Sequence, residues 1–336
     1  MNKKTVTFGE VMLRLSPENN IRIDMADSFK VCYGGAEANV AVSLANFGLK
    51  TSFVSKFPLN DIGRAAENEL RRRGTDTSCI KFGGSRLGIY YCEGGLGIRP
   101  GKVIYDRAAS SFAEAEKNDF NWEDIFDGAE WFHVTGITPA LSANAAENTL
   151  EALKTAGKKG VKVSFDLNYR KALWSPSAAS AVLEKYMPYV DVLIANEEHA
   201  GLIFGIKGDK NAVRGEKYAQ IAEKLASKYG FEYVALTARE SKSVSENYFS
   251  AFLYGGGQYA FSEKYNLLIA DRIGGGDSFA AGLIYALQKN KSLKDSVDFA
   301  AAAAAWKHTV EGDFNDASAE EIERAAQSGY TGRLDR

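Results

Sequence analysis

The chain has 336 residues, 45% of them hydrophobic and 25% charged, with a formal net charge of −2. Those proportions exclude an intrinsically disordered chain, and the even charge balance excludes nucleic-acid binding through a global basic field. Three cysteines (Cys32, Cys79, Cys92) form no C-x-x-C, so free thiols in a reducing compartment are expected rather than a disulfide framework. The opening MNKKTVTFGE has no signal-peptide core, and the longest apolar run, 299–306, is too short to span a bilayer. The expectation is a cytoplasmic protein with no membrane partner.

In chain order, TVTFG (5–9) predicts the first strand, and residues 10–33 carry short strand-like pieces. YGGAEANVA (33–41) then opens a helix, AEANVAVSLANF (36–47), in which Ala36, Val40, Leu44 and Phe47 share one face. Gly34 and Gly35 let backbone N–H groups approach a ligand, and Asn39 offers a donor and an acceptor. A plain strand-to-helix turn with an exposed Asn would read the same way. TSFVS (51–55) predicts another strand, and RLGIYYCEGGLGIRPGKVIYDR (86–107) reads as two strands around a Gly/Pro loop. At a period of two, Gly88, Tyr90 and Cys92 share a face, as do Val103, Tyr105 and Arg107. The Arg107 guanidinium there either grips a carboxylate or is simply solvated. Residues 10–33 and 86–110 together predict a small separate sheet: a lid that excludes water on closing, or an extra edge hairpin. Such a sheet can pair with its copy, so a homo-oligomer, a dimer or higher, is expected.

WFHVT (131–135), VKVSF (161–165), DVLIA (191–195) and YVALT (233–237) continue the strands, with helical stretches between them. This alternation predicts an α/β domain with a mostly parallel sheet covered on both faces. In such sheets ligands sit beyond the carboxyl ends of the strands. Asp166, Asn168 and Arg170 follow one strand, Asn196, Glu197 and Glu198 the next, and Thr237 and Arg239 the last. Polar groups at one strand end are ordinary turn chemistry; at three ends they point to a shared polar site.

DRIGGGDSF (271–279) places Gly274, Gly275 and Gly276 before FAAGLIYAL, which is apolar nearly all round and predicts a buried helix. Its N-terminus presents unpaired N–H groups and the positive end of the macrodipole, an anion site. The lysine of G-x-x-x-x-G-K-[ST] is missing, and Asp277 stands before Ser278 instead. Acids are favoured in a first helical turn, so pattern alone reads Asp277 as electrostatic decoration. AAAAAAW (300–306) reads as close helix packing, and His133, His199 and His308 show no metal-ligand spacing.

YGGAEANVAVSLANFG and IADRIGGGDSFAAGLIYAL resemble the two signatures of ribokinase-like (PfkB-type) carbohydrate kinases, in the family's order and over essentially the whole chain. VMLRLSP, GIYYCE, VIYDRAAS, FDLNYRKALW, ANEE and KHTVEGDF resemble the branch of that family acting on 2-keto-3-deoxygluconate. The resemblance implies one three-layer α/β/α sandwich over 1–336 with a β lid from about 10–33 and 86–110. It implies phosphorylation of the terminal (C6) hydroxyl of that sugar acid from ATP with Mg²⁺, and K⁺ as a further candidate cofactor. Asp277 is implied as general base, with the amides of Gly274, Gly275 and Gly276 as the anion hole. Gly34, Gly35, Asn39, Tyr90, Tyr105, Arg107 and Arg170 are implied substrate contacts, the arginines for the carboxylate. Asn168, Asn196, Thr237 and Arg239 fall on the nucleotide side with Gly274 and Gly276, and Asp271 falls near the metal or cation region.

The sequence departs from the family at three points. Gly275 replaces an alanine, which is expected to loosen the loop, and Arg272 replaces a frequent Thr. His199 stands where an N-x-x-E motif carries Glu, so Glu197 or Glu198 becomes the candidate for the Mg²⁺ shell. Other readings are a fructokinase or ribokinase, or a catalytically inactive sugar-binding relative. A nicotinamide oxidoreductase would carry G-x-G-x-x-G after its first strand, where GEVMLRL stands.

Overall fold

The computed structural model describes residues 4–327, so the outer ends of the domain expected over 1–336, at 1–3 and 328–336, lie outside the described residues. The chain begins β1 (Lys4–Phe8), β2 (Met12–Ser16), β3 (Lys30–Gly34), α1 (Ala36–Asn46), β4 (Lys50–Phe57), α2 (Asp61–Arg72), β5 (Ile80–Phe82), β6 (Gly88–Glu93) and β7 (Lys102–Asp106). It continues α3 (Trp122–Ile125), β8 (Ala129–Thr135), α4 (Ala143–Lys159), β9 (Lys162–Asp166), α5 (Pro176–Leu183), β10 (Val192–Asn196), α6 (Glu197–Phe204) and α7 (Arg214–Tyr229). It closes β11 (Tyr233–Ser241), β12 (Glu246–Gly255), β13 (Gln258–Phe261), β14 (Tyr265–Leu268), α8 (Gly275–Gln288), α9 (Leu293–Lys307) and α10 (Ala319–Ala326).

The central sheet has the order β13-β12-β11-β10-β9-β8-β1-β4-β5, with β14 also paired to β12. From β11 to β5 every pairing is parallel. The six strands predicted for the main sheet all belong to this part, because parallel strands are buried on both faces and read as apolar runs. The antiparallel edge formed by β12, β13 and β14 was not among the predicted strands. Its burial alternates along β12, the mark of a strand with one face partly open to water.

Helices cover both faces. α4 to α7 pack around Phe8, Phe132, Phe165 and Leu236, and α8 and α9 pack around Leu44, Val192, Ile194 and Phe279. At the α8–α9 contact an added Cβ on Gly282 would lie 2.8 Å from the Ala300 Cα. The helices therefore meet nearly backbone to backbone, and all six alanines at 300–305 are buried. α1 departs from the one-faced reading. Glu37 to Leu44 are all buried, because Val40 and Leu44 face the α8 side while Ala38, Ala41 and Val42 pack toward β4 and α2.

The small sheet is separate, in the order β3-β2-β6-β7. It leaves the main sheet just past the carboxyl end of β1 and re-enters it through α1, so it stands at the strand ends where ligands bind. Tyr90 pairs opposite Tyr105, and Met12, Tyr90 and Cys92 pack with Ile273 of the segment before α8.

Candidate active site

The strand ends, the small sheet and the start of α8 enclose a cavity of ≈1650 Å³. β9 and the residues beyond it supply Asp166, Asn168 and Arg170; β10 and the start of α6 supply Asn196, Glu197 and Glu198; β11 supplies Thr237 and Arg239. Gly34, Gly35, Asn39, Tyr90, Tyr105 and Arg107 form the opposite wall, and Gly274, Gly276 and Asp277 lie on the floor. Gly275 and Asp271 are the predicted site residues that are not on the wall.

Gly274 caps α8 with φ +84, a left-handed geometry that suits glycine, and the helix begins at Gly275. The first helical N–H groups have no acceptor within the helix, so the positive end of α8 opens onto the floor. Asp277 sits in that first turn. Its Oδ2 accepts a 2.7 Å hydrogen bond from Asn39 Nδ2, while Asn39 Oδ1 accepts one of 3.3 Å from the Gly35 N–H. One side chain therefore locks the two glycine turns together. Gly35 leaves no room for a Cβ, which would fall 1.9 Å from the Glu10 carbonyl oxygen.

Burial pushes the Asp277 carboxyl up to about 6, with the Asn39 hydrogen bond and the Arg170 charge acting against it. Burial, then the charge of Asp277, pushes Asp166 up to about 7. Above pH 6 Asp277 is thus mostly ionised, yet its affinity for a proton is far greater than that of a solvated carboxylate, as a general base requires. Glu37, which also lines the cavity, is likewise held at about 7 by burial, and its Oε1 carries three hydrogen bonds. It accepts from the Thr135 N–H at 2.9 Å and from the hydroxyls of Thr135 and Thr138, each at 2.8 Å.

The two arginines expected for a substrate carboxylate differ. Arg107 already holds one: its guanidinium bonds to Glu10 at 2.9 Å and also lies over the Tyr105 ring at 5.5 Å. Glu10 accepts from the Ser110 hydroxyl as well. Arg170 has no acidic partner among the described residues, and its charge acts on both Asp277 and Asp166. Desolvation, then the charges of Arg272 and Arg170, weakens the hold of Arg239 on its proton.

Several nucleotide-side residues have local work. Asn196 caps α6 by accepting from the His199 N–H at 2.7 Å, and the Asn168 N–H donates to Asp166 at 3.0 Å. Glu197 is ion-paired with Lys217. The His199 ring meets Tyr169 edge-on, with centroids 5.8 Å apart. Asp271 does not fit the metal role assigned to it from the sequence. Its carboxylate accepts from the N–H groups of Ile273 (3.0 Å) and Gly312 (3.1 Å) and pairs with Arg14 at 2.7 Å. Among the described residues no cluster of three or more His, Cys, Asp or Glu could hold a metal alone. The cavity carboxylates Asp166 and Glu198, neither of them in an ion pair among the described residues, suit Mg²⁺, which is commonly held by one or two carboxylates plus substrate phosphates.

Gly275 also corrects its sequence reading. A Cβ there would lie 2.3 Å from His308 Cε1, so the imidazole fills the room an alanine methyl would need. The loop is filled from behind rather than loosened. Sequence reasoning missed Glu10, Glu37, Arg14, Lys307, His308 and Asp313. The available signal was charge inside apolar surroundings, as with Arg14 in VMLRLS and Lys307 after the alanine run.

A large, mostly parallel sheet covered on both faces, with a small separate sheet over the cavity at its strand ends, is the architecture of the ribokinase-like kinases. The pattern of the pfkB family carbohydrate kinases matches residues 2–320, and the chain belongs to that family. The crystal structure of a 2-dehydro-3-deoxygluconokinase from Thermotoga maritima superposes with a TM-score of 0.95 at 50% identity, covering 97% of this chain and 98% of that one. The 2-dehydro-3-deoxygalactonokinase of Haloferax volcanii is 36% identical over 332 residues, 99% of each chain. The 2-dehydro-3-deoxygluconokinase of Thermoproteus tenax is 27% identical over 314 residues, 92% of this chain and 89% of that one.

Proposed function

We propose that the protein transfers the γ-phosphoryl group of ATP to the C6 hydroxyl of 2-keto-3-deoxygluconate, giving 2-keto-3-deoxy-6-phosphogluconate and ADP. The observation that carries this reading is Asp277, held at about 6 and tied by Asn39 beside the open N-terminus of α8. The sugar's O6–H gives its proton to the Asp277 carboxylate as O6 bonds to the γ-phosphorus, and the bond from phosphorus to the ADP oxygen breaks. The first-turn amides of α8, with Gly274 and Gly276 on the cavity floor, take the charge on the transferring group. Bound Mg²⁺ would supply positive charge against the ATP phosphates. Asp166 and Glu198 are the acids that would hold it, together with the phosphates. Arg170 is the partner of the sugar-acid carboxylate, Arg107 an exchangeable second one, and Asn196, Thr237 and Arg239 serve the nucleotide. Such an enzyme works where ATP and the sugar acid meet, in the cytoplasm.

A second reading follows from the Haloferax volcanii relative, whose name specifies the galacto acid, the C4 epimer. The test is ADP release from purified protein with 2-keto-3-deoxygluconate, 2-keto-3-deoxygalactonate, gluconate, fructose and ribose. The expected order of kcat/KM puts the gluco acid first and the galacto acid second. Preference for fructose or ribose would refute the sugar-acid reading.

A further inference from the structure

Beneath the glycine floor lies a buried charge cluster that the transfer step does not use. Lys307, the last residue of α9, has no solvent-exposed surface. Its Nζ donates to the Val310 carbonyl at 2.8 Å. Its Cε would stand 3.1 Å from a Cβ on Gly274, so the lysine packs against the residue that caps α8. Burial weakens its hold on the proton; the charges of Asp271, Asp313 and, less strongly, Asp277 favour the ammonium, and Arg14 opposes it. Arg14 bridges both acids, at 2.7 Å to Asp271 and 2.9 Å to Asp313, and the Tyr90 hydroxyl donates to Asp313 at 2.5 Å.

Two carboxylates therefore face two cations, and Lys307 makes the set neutral. Without it a net negative charge would remain buried directly behind the loop that must accept a phosphoryl anion. A buried charge without its partner is costly, and here the cost would fall on the conformation of the loop. An ammonium has three donors, and among the described residues it makes one hydrogen bond, to a backbone carbonyl. The rest of its stabilisation is longer-range attraction to nearby carboxylates. A backbone carbonyl oxygen in contact and acids close by are what a soluble monovalent cation would also seek, and here the chain supplies the charge on a side-chain stem.

We propose that Lys307 is a tethered monovalent cation that positions the Gly274–Gly276 loop for phosphoryl transfer, so that turnover needs no K⁺ or other soluble monovalent ion. Lys307 touches neither substrate; it acts through the loop as a positioning residue. The inference rests on the phosphoryl-transfer reading, and turnover by the wild type in the substrate panel tests that reading separately.

The experiment compares the wild type, Lys307→Ala and Lys307→Met in chloride salts of K⁺, NH₄⁺, Na⁺ and tetramethylammonium at matched ionic strength. Wild-type kcat is expected to be the same in all four salts. Lys307→Ala is expected to lose on the order of 10²-fold in kcat, as misplaced reacting groups do, with KM for the sugar acid little changed. K⁺ or NH₄⁺ restores part of that loss and tetramethylammonium does not. Lys307→Met, whose side chain fills the space, is equally slow and is not rescued. Hydrogen exchange of the 271–277 amides reads the same events without turnover: faster in Lys307→Ala, and slowed again by K⁺ or NH₄⁺. Wild-type stimulation by K⁺ would overturn the proposal, and that arm stands even if both variants fail to fold. Unchanged kcat and exchange in Lys307→Ala would overturn it too, as would a loss that no small cation relieves.

Discussion

Two helices of this protein begin on glycine, carry an acid in the first turn and lie buried through most of their length, and the fates of the two acids differ. In α1, Glu37 accepts from one N–H and two hydroxyls and so pins the end of β8 to the helix. In α8, Asp277 accepts one hydrogen bond, from Asn39, and otherwise faces the cavity. Burial raises both, to about 7 and about 6. A raised carboxyl pKa therefore does not by itself mark a base. Both acids line the cavity; what separates the acid proposed as base from the structural one is a single hydrogen bond against three on one oxygen, beside amides left open toward an anion.

The comparison breaks most readily at Asp277. Asp277→Asn should lower kcat by roughly 10²–10⁴-fold, the usual worth of a positioned base. Its effect on stability should have the opposite sign. A carboxyl whose folded-state pKa lies near 6, above the ordinary 3.8, penalises the folded state when ionised. Asp277→Asn should thus melt higher than the wild type above pH 6, and the gap should close as pH falls from 6 towards 3.8. Lower melting at pH 8 would contradict the burial argument.

The next largest effect is expected at Gly275. The methyl of Gly275→Ala would press on the His308 ring, displace the loop and cost on the order of 10²-fold in kcat. Adding His308→Ala should recover part of the loss; a double variant as slow as the single one would show that the ring is not the obstacle. Glu37→Ala sharpens the comparison from the other side. Three donors lose their acceptor, so chemical denaturation should show a loss of roughly 1–3 kcal/mol, with far less effect on kcat than Asp277→Asn. The smallest effect belongs to Asn39→Ala. Its hydrogen bond lowers the pKa of Asp277, so removing it should move the acid limb of kcat/KM to higher pH.

The sequence discloses the parallel half of the main sheet because each of those strands is an apolar run buried on both faces. It does not disclose β12 to β14, where one face is partly open and the pattern weakens. The one-faced reading of α1 was too narrow, since a helix wedged between α8 and the β4–α2 layer is buried all round. Polar residues at the strand ends were legible as a group because a parallel sheet gathers them on one side. Arg14, Asp271, Lys307 and Asp313 were not legible as a cluster. No local spacing links them, and only the docking of the small sheet and α9 against the loop before α8 brings them together. Asp277 itself read as decoration until the second glycine turn, at 33–41, gave it a partner signature; the Asn39 hydrogen bond is the physical form of that pairing.

The most direct test is a rapid-quench measurement of one turnover of ATP, with saturating 2-keto-3-deoxygluconate, at pH values on either side of 6. The wild-type transfer rate should fall on the acid side, and Asp277→Asn should be slow throughout with no such limb. Coincident rates for the two proteins would contradict the assignment of Asp277 as the base.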